Sequence, residues 1–263
     1  MTFKFACKDG RAQLVVGPSH NIVDLETASG GKFSSEPIDA FRRWDEVRAF
    51  AATCTDPGVA CSTDDLNAPS PWPSQVFGIG LNYRKHAEES GAKIPTTPLT
   101  FTKFPSSVGN PNADVPIVGG AVDWEVELVV VISTGGRDIS EADAWNHVAG
   151  VCVGQDISDR ALQMATQPPQ FNLGKSRQNY SPFGPWLVGY DPNGQDILAR
   201  MQGPSVAHWL GTDNFGRDVL ARTLAVVMGA AGVCAWVTWV IRTSKQTANR
   251  KIFFIMILAC IGG

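Results

Sequence analysis

The sequence lacks the patterns that mark several common classes of protein. Its six cysteines fall at no metal-ligand spacing, and it contains no G-x-S-x-G motif, internal repeat or low-complexity segment. These absences argue against a zinc site, against the nucleophile elbow of α/β-hydrolases and against repeat architectures.

Two glycine-containing stretches come close to nucleotide-binding motifs but are incomplete. Gly174–Ser176 has Pro169 at the position where a phosphate-binding loop requires a glycine. Gly78–Gly80 has Tyr83 where the dinucleotide fingerprint requires its third glycine. Neither stretch therefore predicts a nucleotide site.

The composition is that of a globular chain with an uneven charge distribution. The 263 residues are 44% hydrophobic with a net charge of −3, which excludes disorder, collagen and a small disulfide scaffold. Residues 1–196 hold 15 basic and 23 acidic side chains, whereas residues 197–263 hold 7 basic and 2 acidic ones. The acidic part argues against nucleic-acid binding, and the basic part is too apolar for a DNA-binding tail.

The cysteines and the first residues predict a cytoplasmic catalytic part with free thiols. The N-terminus has no charged, apolar and small-residue order typical of a secretory signal. Cys54 and Cys61 lie in one loop rich in Pro, Gly and Asp, and they would pair only in an oxidising compartment.

The pattern of apolar residues predicts a mixed α/β fold that is mainly β. Residues 1–70 are expected to form a small N-terminal subdomain, with three short strands and a helix near 40–52, before a Pro-rich connection. From Gln75, apolar runs separated by Gly, Pro and Asn predict further strands, with helices near 84–90 and 141–148. The predicted strands of the chain are 3–6, 13–16, 21–24, 76–81, 100–104, 125–132, 148–153 and 186–188.

The C-terminal part differs from the rest. Residues 223–241 carry no charge and would span about 28 Å as a helix, close to the thickness of a hydrocarbon core. Trp236 and Trp239 lie near the end of this run, and four basic residues follow, as is typical of a membrane interface. Residues 223–263 are therefore predicted as apolar helical segments, with 223–241 a candidate transmembrane span. The alternative is a buried core helix.

Glu125 and Glu127 are the most informative polar residues. They lie two apart in a β-branched run, and a period of two places both carboxylates on one face of a strand. Like charges at this separation repel unless a cation or proton neutralises them, and Asp156 ends the next apolar run. Three carboxylates favour Mg²⁺ or Mn²⁺ over zinc. The alternative is a solvent-facing strand with two ordinary glutamates.

His86 and Glu89 are a candidate base and its partner. Their i, i+3 spacing places them on one helical turn, where a carboxylate raises the basicity of an imidazole. Lys103 and Lys175 are candidates for polarising a substrate oxygen. A surface histidine and two surface lysines are the alternatives.

Seven motifs, in order, resemble the fumarylacetoacetate hydrolase family over residues 1–189. They are Gly80-Leu-Asn-Tyr-Arg-Lys-His86, Phe101-Thr-Lys-Phe104, Val122-Asp-Trp-Glu-Val-Glu-Leu128, His147-Val-Ala-Gly150, Gln155-Asp-Ile-Ser-Asp-Arg160, Gly174-Lys-Ser176 and Gly184-Pro-Trp-Leu-Val188. The resemblance implies a mixed β-roll around a divalent metal, with residues 71–189 as a truncated metal-binding catalytic domain. It also implies a homodimer.

The resemblance further implies roles for individual residues. The metal ligands would be Glu125, Glu127 and Asp156, with Mg²⁺ or Mn²⁺ as the cofactor. His86 and Glu89 would activate water. By the same resemblance, Lys175 would be a catalytic residue that polarises the substrate. Lys103, Arg160 and Gln163 would be substrate-binding residues.

The activity implied is hydrolysis of carbon–carbon bonds in acylpyruvates or fumarylacetoacetate-like diketo acids. A 2-keto-4-enoate hydratase or an oxaloacetate-type decarboxylase is the alternative within the family. Gln155 stands where the family often has Asn, and Asp159-Arg160-Ala161 stands in place of Ala-Arg-Asp. These departures bear on the substrate more than on the metal.

Beyond residue 189 the resemblance changes. Residues 190–222 are similar to the segment that precedes the transport core in peptide-type ABC transporter permeases. The chain is therefore interpreted as a truncated hydrolase joined to membrane-protein fragments. On this interpretation the sheet would have unpaired edges. The chain would bind a small 2-oxo acid and no nucleic acid, and residues 223–263 are a candidate for contact with a membrane. An inactive, membrane-tethered or composite protein is the competing hypothesis.

Overall fold

The fold is mainly β, as the apolar pattern predicts. The computed structural model describes residues 4–81, 91, 93, 96–140, 142–189 and, as backbone, 253–257. The strands are β1 (Lys4–Lys8), β2 (Arg11–Val16), β3 (Asn21–Asp24), β4 (Gln75–Gly80), β5 (Leu99–Lys103), β6 (Val108–Gly109), β7 (Val122–Asp123), β8 (Val126–Ile132), β9 (Val148–Gln155), β10 (Ser158–Asp159), β11 (Ser181–Val188) and β12 (Phe253–Ile257). The α-helices are α1 (Leu25–Ala28), α2 (Pro37–Arg42), α3 (Trp44–Thr53), α4 (Arg160–Gln163) and α5 (Phe171–Gly174), with 3₁₀ turns at Thr63–Asp65, Pro105–Ser107 and Ala144–His147.

One large sheet contains most of these strands. Its order is β3-β2-β1-β11-β9-β8-β12-β4-β5, with β6 paired to β11. Neighbours along this order are antiparallel, apart from the parallel pair β12 and β4. The short strands β7 and β10 pair separately.

The chain divides into two compact units. The first comprises Met1–Gly136, Asn146–Gly189 and Gln246–Gly263, and it contains all the strands named above. The second comprises Arg137–Trp145 and Tyr190–Lys245, of which the structure describes 137–140 and 142–145. In that stretch the Ser140 hydroxyl donates to Asp143 Oδ2 at 2.6 Å.

Helices α2 and α3 pack on one face of the large sheet. The rings of Phe41 and Trp44 stack with centroids 4.9 Å apart, and each meets the ring of Phe5 on β1 edge-on at 5.2 Å. Trp44 Nε1 also donates to the carbonyl of Ala149 on β9 at 3.1 Å. Burying one such side chain contributes about 1.5–3 kcal/mol, so this cluster ties the first 50 residues to β9.

Most of the predicted elements are confirmed. The three N-terminal strands and the later ones match the apolar runs, while the predicted helix near 40–52 is divided at Arg43 into α2 and α3. The predicted helix at 141–148 is wrong, because only the short turn Ala144–His147 forms in its described part. The predicted helix at 84–90 lies outside the described residues. A separate subdomain at 1–70 stays a prediction.

The end of the chain contributes a strand where a helix was expected. Residues 253–257 form β12, which pairs with β8 on one side and β4 on the other. The expectation of a wholly helical tail is therefore wrong at these residues, and β4 and β8 have a partner where truncation predicted bare edges. Among the residues that the structure describes, no helix is long and apolar enough to cross a membrane. The candidate span 223–241 lies outside them.

Interrupting β12 should destabilise the sheet. Ile255 faces Phe77 on one side and Val130 on the other. In Ile255→Pro the strand loses a ladder donor, and an acceptor left without its bond costs about 1–3 kcal/mol. We expect a lower free energy of unfolding in urea than for Ile255→Val, which keeps the amide. Equal stability of the two variants would show that β12 does not contribute to the folded sheet.

The carboxylate of Asp24 should make stability depend on acid pH. It accepts from Arg11 Nε at 2.8 Å and from the amide of Thr27 in α1 at 2.9 Å. The hydrogen bond from Arg11 holds the pKa of Asp24 well below its usual value. A depressed pKa adds stability above the unfolded-state pKa of about 3.9, and this is lost as the pH falls.

We therefore expect Asp24→Asn to lose less stability than the wild type between pH 7 and pH 3. The expected difference is about 0.5–1 kcal/mol, the range of partly exposed ion pairs. Urea unfolding at both pH values measures it. The matched control is Asp45→Asn on α3, an exposed carboxylate that should follow the wild type.

Candidate functional site

Three carboxylates meet where β8 begins and β9 ends. Glu125 directly precedes β8, Glu127 is its second residue, and Asp156 directly follows β9. Because these strands are antiparallel, with Glu127 opposite Gly154, the start of one lies beside the end of the other. The amide of Asp156 donates to the carbonyl of Glu125 at 2.8 Å.

These three residues form what we call the carboxylate cluster. One oxygen from each lies within 4.8 Å of the others. Glu127 shares its face of β8 with Val129 and Val131, which belong to the buried core, and it is only 2% exposed. Asp156 is fully buried. The predicted alternative of a solvent-facing strand with two ordinary glutamates is therefore wrong.

Lys175 neutralises part of this negative charge. Its ammonium donates to Glu125 Oε2 at 2.8 Å, to Asp156 Oδ2 at 2.7 Å and to Ser158 Oγ at 2.7 Å. Lys175 directly follows α5, which ends at Gly174. A Cβ on Gly174 would lie 2.9 Å from the carbonyl oxygen of Asp159 and from the amide of Gln163, so only glycine lets α5 approach this closely.

An aromatic ring lies beneath the Lys175 ammonium. The centroid of Phe101 is 5.3 Å from Nζ, a distance at which a cation is attracted to a ring face. Phe101 fits against β4 because its partner there is Gly78, where any Cβ would lie 2.2 Å from the ring. The Gly78–Gly80 stretch thus makes room for this ring.

Lys103 is buried on the other side of Asp156. It ends β5, and its ammonium donates to Asp156 Oδ1 at 2.5 Å and to the carbonyl of Tyr180 at 2.7 Å. Burial alone would raise the pKa of Asp156, but the Lys103 and Lys175 ammoniums outweigh it, so the pKa lies below its usual value. Asp156 is therefore a carboxylate at neutral pH. A direct contact between Lys103 and substrate stays a prediction.

Arg160, the first residue of α4, lies at the edge of the carboxylate cluster. Its Nη2 donates to Glu125 Oε1 and, at 2.7 Å, to Asp123 Oδ2. Its Nε donates to the same oxygen of Asp123 at 3.0 Å, and its Nη1 donates to Gln163 Oε1 at 3.0 Å.

The fold thus brings together seven of the nine residues singled out in the sequence. They are Lys103, Glu125, Glu127, Asp156, Arg160, Gln163 and Lys175. His86 and Glu89 lie outside the described residues. Sequence reasoning missed Asp123 and Ser158, although each lies two residues from a member of the carboxylate cluster, the spacing that puts side chains on one face of a strand.

The donor set fits a hard divalent cation. Carboxylate oxygens are the ligands that Mg²⁺ and Mn²⁺ prefer, and no described cysteine or histidine belongs to the cluster. The described cysteines, Cys7, Cys54, Cys61 and Cys152, are free thiols. Burial of Glu127 and Asp156 would keep a bound ion from being fully hydrated.

Comparisons with known proteins relate the chain to one family. The model of the fumarylacetoacetate (FAA) hydrolase C-terminal family matches residues 75–207. A provisionally named hydrolase of Burkholderia ambifaria is 47% identical over 135 residues, which are 49% of this chain and 48% of that protein. The chain thus spans about half the length of such curated relatives.

Two crystal structures share the fold. A provisionally named HpcE protein from Mycobacterium smegmatis is 46% identical, with a TM-score of 0.66 over 72% of this chain and 67% of that one. Maleylpyruvate hydrolase from Sphingobium sp. SYK-6, determined with manganese(II) and pyruvate, is 17% identical with a TM-score of 0.59 over 97% of this chain and 88% of that one. The latter likeness is one of fold alone.

The comparisons do not support the expected fusion. The family match continues from residue 189 to residue 207, through half of the segment interpreted as permease-like. The description of the chain as a composite is therefore not supported by the comparisons. The resemblance of residues 190–222 to a permease has no support.

Removing one charge from the carboxylate cluster should weaken metal binding. Glu127→Gln keeps the size of the side chain but loses its negative charge. We expect the affinity for Mn²⁺ to fall at least about tenfold. Titration calorimetry, or the electron paramagnetic resonance signal of free Mn²⁺, measures this affinity. Glu46→Gln, an exposed residue of α3 paired with Arg43, is the control and should bind as the wild type does. Unchanged affinity in Glu127→Gln would contradict a metal site here.

The family match and the site coincide. Residues 75–207 include the carboxylate cluster, both buried lysines and Arg160. On the extent of this match, the chain belongs to the fumarylacetoacetate hydrolase family.

Proposed function

We propose that the protein is a divalent-metal-dependent hydrolase of carbon–carbon bonds in acylpyruvates or fumarylacetoacetate-like diketo acids. The observation that supports this most directly is the carboxylate cluster, with its oxygens within 4.8 Å and the Lys175 ammonium hydrogen-bonded to two of its members. Because the chain spans about half of its curated relatives, the activity of the whole protein is part of the proposal.

Glu125, Glu127 and Asp156 would hold the metal, with Mg²⁺ or Mn²⁺ as the candidates. Manganese in the Sphingobium maleylpyruvate hydrolase, which also holds pyruvate, supports this choice and a 2-oxo acid as the ligand. A divalent cation supplies Lewis-acid polarisation of substrate oxygens in such sites.

Lys175 would stabilise the negative charge that develops on the substrate. Its ammonium is held in place by three hydrogen bonds and by the ring of Phe101, so it is a pre-oriented positive charge beside the carboxylate cluster. Those bonds use all three of its N–H donors, so a direct hydrogen bond to substrate would replace one of them. With Asp123 and Arg160 included, four carboxylates and three cationic side chains leave the centre with one negative charge, which a divalent cation would turn into one positive charge. A centre of that sign favours an anionic substrate.

Arg160 and Gln163 would orient the substrate. Lys103, which donates to Asp156, would be a further substrate-binding residue. About a third of the Arg160 side chain is exposed, so the guanidinium can reach a ligand as well as Glu125. A planar guanidinium suits a carboxylate, the group that all 2-oxo acids carry.

His86 and Glu89 would activate water. In this proposal His86 takes a proton from water, and Glu89 favours the charged imidazolium that results. Attack of the water oxygen on the distal carbonyl forms a new C–O bond, and the C–C bond then breaks. The products are a carboxylic acid and, after protonation at carbon, pyruvate or a related 2-oxo acid.

The experiment is an assay of acylpyruvates with the products identified. We expect chelator-sensitive release of pyruvate and a carboxylic acid, restored by Mg²⁺ or Mn²⁺. Addition of water without cleavage would instead identify the hydratase, and release of CO₂ from oxaloacetate the decarboxylase. Metal-independent turnover, or none on any of these substrates, would contradict the proposal.

Lys175→Met should lower kcat at least about 100-fold, in the range of a lost charge-stabilising donor. Lys8→Met is the matched control, since Lys8 at the end of β1 is paired with Asp65 of the 3₁₀ turn Thr63–Asp65. Equal rates in the two variants would exclude a catalytic role for Lys175. The homodimer implied by the resemblance stays a prediction, as does the cytoplasmic location inferred from the cysteines and the first residues.

A further inference from the structure

Asp123 is held beside Arg160 by the backbone itself. In the short pair of strands β7 and β10, Asp123 lies opposite Ser158 and Val122 opposite Asp159. The amide of Arg160 donates to the carbonyl of Ala121 at 2.8 Å. These contacts fix the distance between the two chain segments before any side chain is considered.

The side chains then make a well-defined pair. Oδ2 of Asp123 accepts from Nε of Arg160 at 3.0 Å and from Nη2 at 2.7 Å. Oδ1 of Asp123 accepts from the amide of Trp124 at 2.9 Å, which fixes the orientation of the carboxylate. Nη1 of Arg160 donates to Gln163 Oε1. The orientation of the guanidinium plane is therefore fixed by Asp123 on one edge and by Gln163 on another.

Arg160 divides its hydrogen bonds between Asp123 and the carboxylate cluster. Nη2 of Arg160 is shared between Asp123 and Glu125. Without Asp123, Nε of Arg160 would lose its acceptor. The orientation of the guanidinium would then depend on Glu125 and Gln163 alone.

We propose that Asp123 is a positioning residue, which holds the Arg160 guanidinium in the orientation that receives the carboxylate of a 2-oxo acid. This inference rests on the proposed function for the identity of the ligand. It adds a residue whose action on the substrate is indirect, through Arg160.

The exposure of the pair makes the inference testable. The side chains of Asp123 and Arg160 are 47% and 32% exposed, and ion pairs of this exposure contribute little to stability. Asp123→Asn should therefore fold, unlike substitutions of the buried Lys103 and Asp156 pair, whose separation would leave an uncompensated charge.

The experiment is a double-mutant cycle with Asp123→Asn, Arg160→Met and the double variant, all loaded with Mn²⁺. The measured quantities are the dissociation constant of pyruvate by titration calorimetry, KM and kcat for acetylpyruvate, and the dissociation constant of Mn²⁺. For Asp123→Asn we expect pyruvate binding and KM to weaken about tenfold, with kcat and Mn²⁺ affinity within about threefold of the wild type. In the Arg160→Met background, adding Asp123→Asn should change nothing further.

An equal effect of Asp123→Asn in both backgrounds would overturn the inference, because Asp123 would then act independently of Arg160. Unchanged pyruvate affinity in Asp123→Asn would overturn it as well, as would a wild type that binds no pyruvate. Asp39→Asn is the control, since Asp39 forms a comparably exposed pair with Arg42 on α2 and should leave every measured constant unchanged. If the wild type binds pyruvate but cleaves no acylpyruvate, the proposed function fails while the cycle in pyruvate binding still decides the role of Asp123.

Discussion

The burial of Asp156 is the constraint on which the site depends. A lone buried carboxylate would be protonated, because the charged form loses its hydration. Here each carboxylate oxygen accepts from a different lysine, Lys103 on β5 and Lys175 after α5. The fold must therefore bring together three distant chain segments, and the close approaches at Gly78 and Gly174 are what permit it.

How much of the site can be predicted from sequence follows from the range of each interaction. The alternation of Glu125 and Glu127, and the position of Asp156 after an apolar run, are local patterns, so spacing was enough to single them out. Which lysines lie beneath Asp156 depends on contacts between β5, β9 and α5, and periodicity contains no information about those. Asp123 was missed for a related reason: its partner, Arg160, is brought to it by the pairing of β7 with β10.

The prediction of the fold from sequence has the same strength and the same limit as that of the site. Apolar runs predict the longer strands of the first 189 residues, because strands such as β8 and β9 are buried along most of their length. The apolar run near the end of the chain was misinterpreted, since a short continuous run fits a buried central strand as well as a helix. Residues 253–257 pair with β4 on one side and with β8 on the other, as a central strand does.

The position of β12 also has a consequence for how the chain folds during synthesis. Its neighbours β4 and β8 are translated long before residues 253–257 leave the ribosome. Until then the sheet is open beside the strand on which Glu127 lies, and contacts between such distant parts of a chain form slowly. Nascent chains of this protein would thus expose the unpaired edges of β4 and β8 for about the second half of translation, and such edges can pair with other chains.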